Sequence, residues 1–346
     1  MKKLQRNFHS RADWLIPALF IALLGLIVFS LTLGRYPVPV ADIVQVVLST
    51  PLNAVFDYTD VHRVVVEIVR LPRILIVALC GMGLALSGAA MQGVFRNPLV
   101  GPEIAGVSAG ASFGGVLAIM LSFSPVSTVA MAFAFGLSAL VIAFCLAKLA
   151  GKSSTLALVL SGVVVGAFFS ALTGLMQYVA DPQTQLPSIT YWLLGSFVGA
   201  TYEKTAIVAG VMLFAGTLLL ALRWRINLLS LGDTDAAALG VNIEMLRWVI
   251  VALVALIVAA QVSVSGGVGW VGLIIPHLAR MLVGPEHTKL LPASAFLGGI
   301  YLLAMDDIAR SAGNQEIPIG LLTAVVGAPI FAFLFWKMQG KGWARD

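Results

Sequence analysis

The stretch Ile104–Ala147, IAGVSAGASFGGVLAIMLSFSPVSTVAMAFAFGLSALVIAFCLA, carries no Asp, Glu, Lys or Arg. A helix rises about 1.5 Å per residue and a bilayer core is about 30 Å thick, so about twenty apolar residues span it. This run is too long for one such helix, and Ser122-Phe-Ser-Pro125 interrupts it near the middle. It reads as two membrane helices joined by a tight turn.

The rest of the chain repeats the pattern. Further charge-free intervals are Leu15–Gly34, Ile74–Phe95, Ser153–Ala180, Thr205–Leu222, Trp248–Ala279, Leu290–Met305 and Ile317–Trp336. Trp248–Ala279 again holds two helices, turning at Ser265-Gly-Gly-Val-Gly269. The expectation is an all-α polytopic membrane protein of about ten transmembrane helices. Composition agrees: 60% of residues are hydrophobic and 11% charged, too few charges to cover a soluble domain of 346 residues. The thirty-four glycines fit membrane helices, where glycine is commoner than in soluble ones. The net charge of +5 forms no basic run, which argues against nucleic acid. Cys80 and Cys145 both lie in apolar runs and read as small buried hydrophobes.

Lys2, Lys3, Arg6 and Arg11 followed by the apolar run Trp14–Gly34 resemble a signal peptide, but the run is long enough to span and is expected to be the first membrane helix. With the N-terminus inside, fifteen of the 21 Lys and Arg residues fall on the inner side and six on the outer: Arg35, Arg63, Arg70, Arg73, Lys204 and Arg310. That bias places both termini in the cytoplasm. Trp14, Trp224, Trp248 and Trp336 stand at expected helix ends, where indole prefers the headgroup zone. Residues 36–63, with the amphipathic stretch Ala41–Ser49, and residues 181–204 are too polar to span and are expected on the outer face. No linker divides the chain, so residues 1–346 form one membrane domain.

Catalytic chemistry has no footing here. Gly151-Lys152-Ser153 mimics the end of a P-loop, but Leu146 stands where the earlier glycine belongs. His9, His62, His277 and His287 have no ligand spacing, so neither a catalytic nor a metal site is expected. Intramembrane charge, the mark of ion-coupled carriers, is scarce. Glu103 stands at a helix start, and Asp306 and Asp307 precede Arg310 by four and three residues, which permits pairs on one helix face. A separate protein is therefore expected to supply the energy. The glycines Gly106, Gly110 and Gly114, and Gly162 and Gly166, are spaced for close helix packing.

Two loops carry signal. Within Arg225–Leu246 the sequence Leu231-Gly-Asp-Thr-Asp-Ala-Ala-Ala-Leu-Gly240 describes a short Ala-rich helix with an acidic start and a Gly end, a protruding module on the inner side. On the outer side, Arg70-Leu-Pro-Arg73, joined by Arg310, runs against the positive-inside bias. Such arginines could meet an acidic partner or reach lipid phosphate.

Four ordered blocks together resemble the FecCD-type permeases of type II ABC importers, which carry iron–siderophore complexes, haem and cobalamin. They are Arg70–Arg73 (RLPR), Gln92–Ala111 (QGVFRNPLVGPEIAGVSAGA), Gly272–Arg280 (GLIIPHLAR) and Ile317–Pro329 (IPIGLLTAVVGAP). The resemblance runs from about residue 35 to the end of the chain. It implies ten helices, a permease dimer (here expected to be of identical chains), two cytoplasmic ATPases that bind the ATP, and a periplasmic binding protein, all at the bacterial inner membrane. It makes Arg70, Arg73 and Arg310 contacts to the binding protein. It makes Asp233, Asp235, Ala236, Ala237 and Gly240 the ATPase coupling loop, with Asp235 where the family pattern has Glu. It places Ser154 and Thr155 at the cytoplasmic gate. Some relatives carry molybdate or tungstate instead, which stands as the alternative cargo; an ion-coupled carrier is the alternative class.

Overall fold

A computed structural model describes residues 2–52, 59–149, 155–313 and 315–339. Among these the chain is helical: α1 (Lys2–Thr32), α2 (Val40–Leu52), α3 (Asp60–Arg63), α4 (Leu71–Phe95), α5 (Val107–Met120), α6 (Pro125–Leu149), α7 (Thr155–Val179) and α8 (Gln185–Leu194). There follow α9 (Tyr202–Val211), α10 (Thr217–Ala221), α11 (Arg223–Ser230), α12 (Asp233–Ala238), α13 (Ile243–Ser265), α14 (Val271–Val283), α15 (His287–Ser311) and α16 (Ile319–Gln339).

Among the described residues, seven helical stretches are long and apolar enough to cross a membrane, and α5, α14 and α16 are shorter apolar helices. These match the ten expected intervals. A fourth short helix, α2, covers the amphipathic stretch assigned to the surface. Both expected breaks are present. Ser122 takes a left-handed φ of 55° between α5 and α6, and Gly266 turns the chain between α13 and α14 at φ 68°, a conformation that glycine adopts at no steric cost.

The helices are not equally central. The α3–α4 span has 83% of its apolar window buried and α13 has 78%, against 17% for α1. So α4 and α13 form the spine. It packs against α15, α14, α9 and the α5–α6 hairpin, while α1 lies outside against α15. Backbones touch where glycines face each other. A methyl on Gly88 would lie 1.7 Å from the Gly272 carbonyl oxygen, and one on Gly81 2.3 Å from that of Gly298. Such contacts let helices approach without a hydrophobic driving force between them.

Two features differ from expectation. Arg70 and Arg73 do not sit outside a helix: α3, a π-helical segment Val64–Arg70 and α4 run on without interruption. Pro72 has no N–H for the normal helical bond, and the wider π turn absorbs the mismatch. Cys80 is buried, but Cys145 is exposed on α6, whose outward face is apolar with Val141, Ile142 and Leu149 exposed. Trp224 and Trp336 are exposed near the ends of α11 and α16 and Trp248 is partly buried near the start of α13, whereas Trp14 is exposed well inside α1, at the start of its apolar span.

Candidate functional site

At one end of the bundle, Arg73 grips two carboxylates. Its Nε and Nη2 donate to Asp306 at 3.0 and 2.7 Å, and its Nη1 and Nη2 donate to Glu316 at 3.0 and 2.6 Å. Asp306 is fully buried, so the fork-to-fork geometry compensates its lost hydration. Arg310 Nη2 donates to Asp307 at 2.6 Å and to the Ser30 carbonyl at 2.6 Å, and its Nη1 reaches the Leu33 carbonyl at 2.9 Å. Arg70 Nη1 donates to the Leu31 carbonyl at 2.6 Å, and Nη2 to that of Tyr36. Two guanidiniums thus satisfy the free carbonyls at the C-terminus of α1, where positive charge is also favoured by the helix dipole. Gly34, at φ 149°, makes room: a methyl there would lie 2.7 Å from Arg70 Nη2.

This geometry bears on the docking expected of the three arginines. Arg70 and Arg310 are 4% and 7% exposed, and all three donate inward to their own chain. The i+3 pairing of Asp307 with Arg310 is formed, and Asp306 lies 3.8 Å from the Arg310 Nε. Sequence inspection missed Glu316, which pairs with Arg73 across 243 residues.

At the opposite end, α11 packs against α4 and α15 through buried Ile226 and Leu229 and leads into α12, which precedes α13. Gly232 opens α12 at φ 120° and Gly240 closes it at φ 78°. Asp233 Oδ1 accepts from Arg247 Nη2 of α13 at 2.7 Å and from Arg96 Nη2 at 3.3 Å. Ala236 is fully buried against the bundle. Asp235, Ala237 and Gly240 are exposed, and so is Leu239 at 60%. The module is a small knob, with Asp233 and Ala236 as its root and Ala237, Leu239 and Gly240 as its tip. Leu239 was not singled out from sequence; an exposed leucine between an Ala-rich turn and a glycine is its only signal.

Between the ends lies a crevice. One lobe, about 480 Å³, is lined by small and hydroxyl residues of α5 and α7, among them Ser108, Ser112, Gly162, Gly166, Ser170 and Thr173. A second lobe of about 300 Å³ reaches the 267–270 turn and Gly320, Leu321 and Ala324 of α16. Glu103, Ser108 and Leu193 line both. The walls are knitted by main chain: Ser196 N–H donates to the Ser265 carbonyl at 2.8 Å and Ile319 N–H to that of Gly195 at 3.0 Å. Just before α8, Asp181 Oδ1 accepts from the Thr184 hydroxyl and amide and from the Gln183 amide, and these bonds hold its carboxyl below the usual carboxylate range.

The sequence blocks converge at this level. Gln92 accepts from Arg280 Nη2 at 3.0 Å and donates to the Leu273 carbonyl at 3.2 Å. A methyl on Gly272 would lie 2.6 Å from Pro102, and one on Gly327 2.8 Å from Ile274. Of the two expected gate residues, Ser154 lies outside the described residues and Thr155 is the first residue of α7.

Residues 22–337 match the FecCD transport family. The chain belongs to that family. It is 45% identical over 315 residues to the molybdate import system permease protein MolB of Haemophilus influenzae, covering 91% of this chain and 93% of that one. It is 37% identical to the cobalamin import system permease protein BtuC of Halobacterium salinarum, covering 88% and 83%. A solved structure described as an inward-facing, metal-chelate type ABC transporter superposes with a TM-score of 0.84 at 43% identity, covering 94% of this chain and 99% of that one. This FecCD chain is therefore an ABC-importer permease, a multi-pass membrane subunit whose ATPase is a separate protein and which works with a binding protein.

Proposed function

We propose that this permease passes a metal chelate, such as an iron–siderophore, haem or cobalamin, from a periplasmic binding protein to the cytoplasm of a bacterium. Two identical copies would enclose the path in the inner membrane, with the α12 end and both termini inside and the Arg73 end outside. The observation that carries this reading is the crevice: two joined lobes lined by small, hydroxyl and apolar residues, with no Lys, Arg or His among the described lining residues. A bulky chelate can slide past such walls without being held.

The knob at α12 is the seat for the ATPase, and closure of the nucleotide-bound ATPases would shift the permease between outward- and inward-open states. Thr155 at the start of α7 is assigned to the inner gate. The buried outer arginines shape the docking rim by fixing the end of α1, and Arg35 is exposed beside them.

A second reading, molybdate or tungstate as cargo, is favoured by the 45% identity to MolB. Binding measurements on the cognate binding protein with ferric siderophore, haem, cobalamin and molybdate separate the two. Tight binding of molybdate alone would overturn the chelate reading. Concentration of any of these solutes by the permease alone in vesicles, on an ion gradient, would overturn both.

A further inference from the structure

We propose that Glu103 is the charge-selecting side chain of the crevice, admitting neutral or cationic cargo and repelling small anions. This deepens the functional reading above and rests on its assignment of the crevice as the path.

The placement of Glu103 is built, not incidental. After α4 the chain turns through Arg96 at φ 50°, forms the 3-10 turn Pro102–Ala105, and enters α5 through Gly106 at φ 75°. Glycines of two other helices clamp this elbow. A methyl on Gly162 of α7 would lie 2.0 Å from the Ile104 carbonyl oxygen, and one on Gly272 of α14 would strike the Pro102 ring at 2.6 Å. Gly106 itself sits so close that a methyl would be 2.9 Å from the Gly162 carbonyl oxygen. The residues on either side of Glu103 therefore cannot drift. Its carboxylate folds back over Gly101, where a methyl would lie 2.2 Å from Oε2.

From that anchored position the residue lines both lobes of the crevice, with its carboxyl packed closely enough that desolvation raises it above the usual carboxylate range. Among the described residues it is the only charged one lining either lobe, and it makes no salt bridge. The neighbours Ser108, Ser112, Ser170 and Thr173 are neutral. A single uncompensated charge in a cleft with low-dielectric walls governs which ions collect there, by a factor of about ten or more. A compact oxyanion would meet this carboxylate with no Lys, Arg or His among the described lining residues to offset it. A neutral chelate, or one with a cationic face, would not.

The test measures charge preference in the crevice directly. The full permease–ATPase complex is placed in nanodiscs with Cys145→Ser, to remove the exposed native thiol, and Ser108→Cys as reporter. Because burial pushes the Glu103 carboxyl above the usual carboxylate range, labelling is followed at both about pH 7 and about pH 9, with two methanethiosulfonates of similar size, one carrying a trimethylammonium and one a sulfonate. Each rate is normalised to that of a free thiol. The cationic reagent should react about five- to tenfold faster than the anionic one. Glu103→Gln should bring the ratio near one, and Glu103→Asp, which keeps the charge, should hold it well above one. Ala167→Cys serves as a second reporter should the first variant fail to assemble. A ratio unchanged by Glu103→Gln overturns the proposal while leaving the crevice as a path. No labelling by either reagent at both positions shows that water does not enter the crevice, and overturns the path assignment itself.

Discussion

Arg247 Nη2 donates to Asp233 Oδ1 at 2.7 Å, joining the first residue of α12 to the long helix α13. Arg247 is nearly buried while Asp233 is half exposed, so the bond fastens an exposed knob to the central spine. Any force on α12 is thereby delivered to α13, one of the two most buried helices of the bundle.

Loosening that root should weaken coupling without preventing insertion. Because Asp233 is solvent-facing, the pair contributes only about 1 kcal/mol to stability. Asp233→Asn and Arg247→Met should each leave expression and thermal stability of the complex near wild type. Transport per ATP hydrolysed should nevertheless fall several-fold. A double-mutant cycle on the transport-to-hydrolysis ratio should show the two changes to be non-additive. Additive losses would mean the two residues act separately.

Gly240 closes the same knob at φ 78°, with no neighbour within 4 Å of an added methyl. The constraint is therefore backbone conformation and not space. A bulky residue there also adds volume at the tip, beside exposed Ala237 and Leu239. Gly240→Asn, which tolerates the left-handed region, should retain most coupled uptake, whereas Gly240→Val should cost about 1–2 kcal/mol of local strain and largely uncouple hydrolysis from transport. Equal behaviour of the two variants would show that tip volume, not conformation, is what matters.

Arg73 and Asp306 yield a contrasting prediction. Removing one partner of a buried pair leaves the other uncompensated, at a cost of roughly 3–5 kcal/mol. Asp306→Asn should therefore lower the thermal midpoint of the purified permease markedly. Joint charge reversal of Arg70 and Arg73 should do the same, with loss of binding-protein affinity following from the damaged fold. The affinity that survives should show an unaltered salt dependence. Weakened, more salt-sensitive docking with normal thermal stability would instead support the direct contact by these arginines expected from the sequence.

The difference between these two ends shows what the sequence could convey. Helix number was legible because hydrophobic length is a one-dimensional property: the Ile104–Ala147 run and its break at Ser122-Phe-Ser-Pro125 needed no partner to be read. The knob was legible because its acidic start, alanines and closing glycine are contiguous. The arginine cluster was visible as misplaced charge, but its direction was not. Whether Arg73 faces outward or inward depends on Asp306 and Glu316, which lie 233 and 243 residues away. The capping of α1 by Arg70 and Arg310 was hidden for the same reason, since main-chain carbonyls leave no trace in a sequence. Glu103 stood in plain view; only the glycines packed around its turn reveal that it faces a cavity.

Those glycines supply the last prediction. A methyl on Gly88 would overlap the Gly272 carbonyl oxygen at 1.7 Å, backbone against backbone, where no side chain can give way. Gly88→Ala must push α4 from α14, separating Gln92 from the Leu273 carbonyl and from Arg280. The expected cost is about 1–3 kcal/mol of overpacking, read as a lower thermal midpoint and a loss of folded permease after detergent extraction. Gly174→Ala on α7, where nothing lies within 4 Å of an added methyl, serves as the control and should be neutral or slightly stabilising, since alanine is the better helix former. Equal tolerance of both substitutions would mean that α4 and α14 are not held at this contact, and that the tight spine is not what fixes the crevice walls.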